Sequence, residues 1–219
     1  MLLILRHLES NKNTHRKFSS LEDCEELTSI GRCMGNEIAE YIATFVDAHS
    51  FNVKRVYCAN SARAIETAKI IADKLGVEIC AFDELRSNNS GELRGKSESE
   101  AQRINPTFMK QLKLFRAGIY SSYDFVNVLN REDKHDFENR VNLCLEKILT
   151  QDLGTLKIVV LHHSSLTAAI IHFARKFYNY PKDYYGHVAC ELGNIYLIGD
   201  DDILLCNEPV SMLGDIEIL

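Results

Sequence analysis

Two histidines of this sequence each follow directly after a short run of apolar residues. Arg6 and His7 come after residues 2–5, and His162 comes after residues 157–161. In an open α/β sheet, ligands bind at the carboxyl ends of the strands. A neutral imidazole can attack phosphorus, and a guanidinium offers a planar fork of donors that fits phosphate oxygens. If the apolar runs are strands, these side chains frame a site suited to phosphoryl transfer.

Short apolar runs predict the strands that would position these residues. They lie at residues 2–5, 56–58, 77–82 and 157–161, followed by a hairpin of 195–198 with 203–206. Segments with helical periodicity separate most of them, and this alternation is typical of an α/β protein with a mainly parallel sheet. The sequence contains no linker, internal repeat or low-complexity segment. We therefore expect one domain over residues 1–219.

Capping residues and amphipathic periodicity predict the helices. Thr28 is suited to cap a helix whose apolar face would carry Ile30, Met34, Ile38, Tyr41, Ile42 and Phe45. Further helices are expected from Ser61 to Gly76, around residues 137–148, and after Ser164 or Ser165. Arg63 would lie in the first turn of the second helix, where the helix dipole favours an anion. A phosphate bound beside Arg63 would suit that position.

Charge and cysteine usage narrow the function classes. The 219-residue chain has a net charge of −6 and no long basic run, which argues against a general nucleic-acid surface. No apolar run approaches the roughly 18 residues of a membrane span, and the N-terminus does not resemble a signal peptide. The seven cysteines are scattered and never in a Cys-x-x-Cys pair. We expect a cytoplasmic protein with reduced thiols, no membrane partner, no metal site and no cofactor.

Five short motifs follow one another over nearly the whole chain. They are Arg6-His7-Leu8-Glu9-Ser10 with Asn13, Leu27-Thr28-x-x-Gly31, Ser61-Ala62-Arg63-Ala64-Ile65-Glu66-Thr67-Ala68, Gly91-Glu92-Leu93-Arg94-Gly95, and Val159-Val160-Leu161-His162. Together they resemble the histidine phosphatase superfamily, in its phosphoglycerate-mutase-like branch 1. The resemblance implies a three-layer α/β/α fold with a mainly parallel central sheet.

The resemblance also implies a role for each matching residue. His7 would be the nucleophile that becomes phosphohistidine, and Arg6, Arg63 and His162 would surround the phosphoryl group. Phosphoryl transfer depends mostly on positioning and on stabilising charge on the equatorial oxygens. Two arginines and a second histidine can supply that stabilisation without a metal ion.

One position departs from the family where a proton donor is expected. The family usually has a glutamate four residues before the glycine that corresponds to Gly91, and here that residue is Ser87. Serine is a poor general acid. Glu84, Asp83 or Glu92 would have to reach the site instead, or no acid is used. Glu84, three residues from Ser87, is the candidate catalytic donor.

Two residues stand where the family usually has glycine. Leu8 follows the expected nucleophile, and His163 follows the second histidine. Because glycine permits close backbone approach, both side chains could reshape the phosphate site, and His163 could bind an anion. Asn13 and Ser19 resemble family residues that contact the transferred phosphate or the substrate.

These patterns lead to one leading hypothesis and two alternatives. The leading one is a metal-independent phosphatase that hydrolyses a phosphate ester or phosphoramidate through phospho-His7, with an atypical proton donor. A phosphoglycerate-mutase-type phosphotransferase is weakened by Ser87, because an acid and base must work in both half-reactions. A weakly active or non-catalytic phosphate-binding relative fits Leu8 and His163 but not the intact histidines and arginines. The expected partner is a phosphorylated small molecule or a phosphoprotein.

Overall fold

A seven-stranded sheet lies at the centre of the residues described by the computed structural model, which are 1–15, 17–18, 25–117, 128–179, 188, 190–199, 202–206 and 217–218. The strands are β1 Leu2–Arg6, β2 Arg55–Ala59, β3 Glu78–Phe82, β4 Lys157–Leu161, β5 Ile195–Ile198, β6 Ile203–Cys206 and β7 Glu217–Ile218. Their order across the sheet is β3-β2-β4-β1-β5-β6-β7. The predicted hairpin is confirmed, since β5 and β6 pair antiparallel.

Helices alternate with most of the strands and confirm the predicted α/β architecture. They are α1 Asn11–His15, α2 Ser29–Ala48, α3 Ala62–Leu75, α4 Glu98–Ile104, α5 Pro106–Arg116, α6 Lys134–Thr150 and α7 His163–Tyr178. Helices α3 and α7 contact the sheet directly, while α2 packs on α3 and α6 packs on α7. No helix of the described residues is long and apolar enough to cross a membrane.

The half of the sheet formed by β3, β2, β4 and β1 is parallel throughout. Register places Arg6 of β1 opposite Leu161 of β4. The next residue of each chain segment, His7 and His162, therefore emerges at the same carboxyl edge. Strand β2 ends at Ala59, and α3 begins at Ala62, so the N-terminus of α3 lies at that edge as well.

Burial explains why the central strands are almost continuously apolar. Residues 2–5 of β1 and 158–161 of β4 have at most 2% of their surface exposed, because helices cover both faces of the sheet. Helix α6 buries the five residues that its periodicity predicts: Phe137, Val141, Cys144, Leu145 and Ile148.

The inward face of α2 differs from the prediction. Ile30 is 60% exposed, whereas Gly31 and Gly35 are buried. A Cβ atom on Gly31 would lie 2.1 Å from the carbonyl oxygen of Glu9, and one on Gly35 would lie 3.1 Å from Leu8 Cδ1. Helix α2 therefore packs against the segment after β1 at two glycines. A prediction based on the spacing of apolar residues does not detect such a contact.

Candidate active site

His7 lies directly after β1 and is held in one tautomer. It is 3% exposed, and its backbone N–H donates to the carbonyl of Leu161 at 2.8 Å. Its Nδ1 lies 2.8 Å from the carbonyl oxygen of Leu8, and the Nε–H of Arg63 donates to His7 Nε2 at 3.2 Å. Because a carbonyl only accepts and a guanidinium only donates, the ring hydrogen sits on Nδ1. Nε2 thus carries the lone pair that a nucleophile needs.

Arg63 lies in the first turn of α3, as the sequence predicts, and is 2% exposed. Thr67, one turn later, links this helix to the segment after β1. Its hydroxyl donates to the carbonyl of Arg63 at 2.8 Å and accepts the backbone N–H of Leu8 at 3.3 Å. The bonds hold the start of α3 against the residue that follows His7.

His162 is itself the N-cap residue of α7, so the prediction that Ser164 or Ser165 caps this helix is wrong. Ser165 instead accepts the backbone N–H of His162 at 3.0 Å. The His162 ring lies edge-on to the His7 ring, with centroids 5.1 Å apart, and its Nε2 is 3.1 Å from the hydroxyl of Ser61. Ser61 is the N-cap of α3 and was not expected at the site.

Both imidazoles are held neutral by their surroundings. Burial lowers the pKa of His7 well below its usual value, and the charges of Arg63, Arg6 and Lys12 add to that effect. Burial likewise lowers the pKa of His162, with Arg63 as the next cause. Lys12 lies in α1 and is 8% exposed, and nothing in its sequence context marks it as a site residue. Neutral imidazoles at this edge suit nucleophilic attack and hydrogen bonding to an anion.

We expect His7 and His162 to remain unprotonated at pH values below 6.5, the ordinary pKa of histidine. Their protons should bind only as the pH falls through the lowered folded-state values. Ring signals in a histidine NMR titration report this directly, with free imidazole in the same sample as reference. Lys12→Met should shift the His7 midpoint upward, since a positive charge is removed. A His7 midpoint at or above 6.5 would contradict the assignment.

The other candidates from the sequence occupy different surroundings. Arg6 is half-buried, and its guanidinium donates to the carbonyl of Cys190. The side-chain oxygen of Asn13 accepts from the backbone N–H and the hydroxyl of Ser10 at 3.0 and 2.7 Å, which closes the turn after the first motif. Ser19 lies outside the described residues. Thus Asn13 supports the motif's backbone, and any contact with substrate stays a prediction.

A cavity of about 550 Å³ opens beside Ser61, Arg63 and His162. Its remaining lining residues are Asp83, Arg86, Ser87, Asn88, Asn89, Arg94, Asn130, Arg131, Glu132 and Arg140. Among these described residues, five arginines face two carboxylates, although the whole chain is negatively charged. The local excess of positive charge suits an anionic ligand.

Arg140 of α6, which nothing in the sequence marks as a site residue, fixes the loop that contains Glu84 and Ser87. Its guanidinium donates to the carbonyls of Glu84, Arg86 and Ser87 at 2.6, 2.9 and 3.2 Å. Glu132 binds the same guanidinium through both carboxylate oxygens, at 2.5 and 2.8 Å. In this conformation Ser87 lines the cavity, while Glu84 is exposed and is not among the lining residues.

Leu8 and His163 do not obstruct the cavity. Leu8 is completely buried in the apolar core, where its methyl groups lie against the positions of Gly35 and Gly193. His163 is half-buried as the first residue of α7 and does not line the cavity. The side chain that replaces glycine after His7 is thus accommodated in the core by glycines on neighbouring segments.

The two histidines at adjacent strand ends, with Arg63 hydrogen-bonded to Nε2 of His7, agree with the comparison to known families. The model of the histidine phosphatase superfamily, branch 1, matches residues 2–196. The chain belongs to this superfamily. Phosphoglycerate mutase-like protein 4 of Arabidopsis thaliana is 28% identical over 175 residues, which cover 80% of this chain and 70% of that protein.

Solved structures of the histidine phosphatase fold superpose on the chain. YhfR of Bacillus stearothermophilus gives a TM-score of 0.72 at 19% identity, covering 96% of this chain and 98% of that one. A phosphoserine phosphatase from Entamoeba histolytica, in complex with phosphoserine, gives 0.62 at 18% identity, covering 94% of each chain. At these identities the likeness shows a common fold.

Replacing Arg63 with glutamine should lower kcat/KM on an aryl phosphate by about 10²–10³, comparable to losing an oxyanion donor. The buried guanidinium lies beside the proposed nucleophile and would stabilise charge on the phosphoryl oxygens. Arg55→Gln is the matched control, since Arg55 is at the amino end of β2 and its side chain is 44% exposed. A merely tenfold loss would mean that Arg63 is not part of the phosphate site.

Proposed function

We propose that the protein is a phosphatase that forms phosphohistidine on His7. The observation that carries this proposal is the buried His7 ring, whose hydrogen is on Nδ1 and whose Nε2 faces Arg63 at 3.2 Å. A neutral imidazole with an oriented lone pair is an activated nucleophile. Membership of the superfamily and the phosphatase names of structural relatives support the same chemistry.

The reaction would proceed in two displacements. Nε2 of His7 bonds to phosphorus, and the bond from phosphorus to the leaving-group oxygen breaks with its electron pair on that oxygen, which then takes a proton. Water next attacks the phosphohistidine, and the P–N bond breaks with its electron pair returning to Nε2. The proton that the water loses passes to an oxygen of the released inorganic phosphate. Arg63 would transfer its hydrogen bond from Nε2 to the phosphoryl oxygens during the first step.

Arg6, Ser61 and His162 would complete the phosphate site. Ser61 and His162 share a hydrogen bond at 3.1 Å, and both can exchange it for a phosphoryl oxygen. The N-termini of α3 and α7 meet at the same place and favour an anion there. Positioning and fixed charge together supply the transition-state stabilisation that phosphoryl transfer requires.

General-acid catalysis, in which a side chain protonates the leaving group, would contribute little to the rate of this enzyme. Ser87 lines the cavity where the family usually has glutamate. Of the two lining carboxylates, Glu132 is bound by Arg140 through both oxygens. Asp83 accepts from Asn60 Nδ2 at 3.0 Å and lies 3.5 Å from Nη1 of Arg86. We propose Asp83 as the donor in place of Glu84, because both carboxylates are exposed but of the two only Asp83 lines the cavity. Substrates whose leaving group departs without being protonated should therefore react fastest. A phosphoglycerate-mutase-type reaction needs the acid in both directions and is therefore less well supported.

Hydrolysis of an aryl phosphate should continue at full rate in excess chelator. The proposed site relies on guanidinium and imidazole groups, which stabilise a phosphoryl group without a metal ion. Release of inorganic phosphate before and after chelation measures this, and a chelated two-metal phosphatase provides the positive control. Activity that vanishes with chelator and returns with magnesium or zinc would contradict the proposal and favour metal-assisted hydrolysis.

A further inference from the structure

Ser61 is the N-cap residue of α3, but its side chain does not cap the helix. A serine at this position normally accepts a backbone N–H of the first turn, as Ser97 of α4 does from Glu100 at 3.3 Å. The Ser61 hydroxyl makes no such bond. It lies 3.1 Å from Nε2 of His162 instead, and the residue is 8% exposed. The fold therefore places this hydroxyl against an imidazole at the edge of the sheet where His7 lies.

Ser61 and His162 have the arrangement of a nucleophile and its base. When the ring hydrogen of His162 is on Nδ1, Nε2 accepts the hydrogen of the Ser61 hydroxyl. A serine hydroxyl beside a neutral imidazole is the usual form of an activated serine. Burial keeps the imidazole neutral by lowering the pKa of His162. In the proposed phosphatase reaction the hydroxyl serves only as a hydrogen-bond partner, so its capacity as a nucleophile is unused.

We propose that Ser61 is a phosphorylation site that takes its phosphoryl group from His7. This inference rests on the proposed function, because phosphohistidine is the donor. The His162 ring contacts both residues, with its centroid 5.1 Å from that of His7 and its Nε2 3.1 Å from the Ser61 hydroxyl. Arg63, two residues after Ser61, lies 3.2 Å from Nε2 of His7. A phosphoryl group on that nitrogen would therefore enter the part of the cavity that Ser61, Arg63 and His162 line.

The transfer needs no co-reactant. Oγ of Ser61 bonds to phosphorus while the P–N bond of phosphohistidine breaks, and the electron pair of that bond returns to Nε2 of His7. The proton of the hydroxyl passes to Nε2 of His162 and from there to water. A phosphoramidate is thereby converted into a more stable phosphate ester, so the step is favourable.

The N-terminus of α3 would bind the phosphate of phosphoserine. The Ser61 side chain leaves the N–H groups of the first turn without its cap, and a helix N-terminus favours an anion. Arg63 lies in the same turn and adds a positive charge. The local structure at Ser61 therefore suits the phosphorylated residue.

Phosphorylation of Ser61 would inactivate the enzyme. The new phosphate would occupy the place of the substrate phosphoryl group and remove the hydrogen-bond partner of His162. Its release requires a serine alkoxide to depart, and Ser87, which lines the cavity, cannot protonate that alkoxide. The ester should therefore persist, so that the protein loses activity while it turns over substrate.

Prolonged turnover of 4-nitrophenyl phosphate by the full chain tests this site. Acid treatment hydrolyses phosphohistidine and preserves phosphoserine, whereas alkali preserves phosphohistidine and removes phosphoserine. We expect acid-stable phosphate to accumulate on Ser61 in proportion to the activity lost, as measured by intact mass and peptide mapping. Gel filtration before each activity assay removes free phosphate, so that inhibition by the product is excluded.

Ser61→Ala should carry no acid-stable phosphate, and its progress curve should stay linear whatever its initial rate. Ser61→Thr keeps a hydroxyl and should be labelled as phosphothreonine, which shows that a missing label in the alanine variant is not a folding defect. Ser29→Ala is the matched control, since Ser29 is exposed at the start of α2, and it should be labelled on Ser61 like the native protein. His7→Ala should carry no label, because it lacks the donor.

The two kinds of label separate this inference from the proposed function. Acid-labile label without acid-stable label, or acid-stable label on another residue, would overturn the inference and leave the phosphatase proposal standing. Label on Ser61 that persists in His7→Ala would also overturn it, since Ser61 would then take the phosphoryl group from substrate directly. Absence of turnover and of both labels would contradict the phosphatase proposal and, with it, the inference.

Discussion

Replacing His7 with alanine should abolish hydrolysis of every phosphate substrate that the native protein turns over. The substitution removes the Nε2 lone pair that would bond to phosphorus. Rapid acid quenching during turnover of a radiolabelled substrate should trap label on the native protein, in an acid-labile and base-stable form typical of a phosphoramidate. The variant should carry none.

His135→Ala provides the matched control, since His135 is exposed on α6. It should keep both the label and the rate. A circular dichroism spectrum and an unchanged Tm would exclude loss of the fold as the cause in His7→Ala. Acid-labile label that persists after His7→Ala would show that another residue carries the intermediate.

The rate of hydrolysis should depend steeply on the pKa of the leaving group. An alkyl phosphate expels a strongly basic alkoxide, and a positioned acid is worth about 10²–10⁴ in rate. Ser87 cannot supply that proton, so aryl phosphates, acyl phosphates and phosphohistidine should react much faster than sugar or glycerate phosphates. Ser87→Glu should raise the rate on alkyl phosphates by up to about 10²–10⁴ and leave aryl phosphates nearly unchanged.

Asp83 and Glu84 offer a matched pair for locating any remaining donor. Asp83 lines the cavity and Glu84 does not. Asp83→Asn should therefore slow alkyl phosphates selectively, whereas Glu84→Gln should change neither substrate class. Selective damage by Glu84→Gln would restore the donor expected from the sequence. If the rate depends only weakly on the pKa of the leaving group, and neither substitution changes that dependence, the proposal that this protein protonates its leaving group poorly is wrong.

Much of the fold and the centre of the candidate site could be predicted from the sequence, because both are encoded locally. Continuous apolar runs of four or five residues are typical of strands buried on both faces, and α6 buries the residues that its period selects. His7 and His162 each follow such a strand by one residue, so parallel pairing brings them to one edge. Arg63 joins them because its helix starts at the end of the neighbouring strand. Their catalytic roles stay predictions.

Only the tertiary structure decided which other side chains reach the site and which do not. Glu84 and Ser87 lie three residues apart in a loop that is hydrogen-bonded to Arg140. Ser87 lines the cavity and Glu84 lies outside it. Arg131 lines the cavity because the segment that contains it lies close to Gly91. The side chain of Leu8 points into the core because α2 has a glycine, Gly35, at the point of contact. These outcomes depend on contacts between segments far apart in the chain. Residue type and local period carry no information about such contacts.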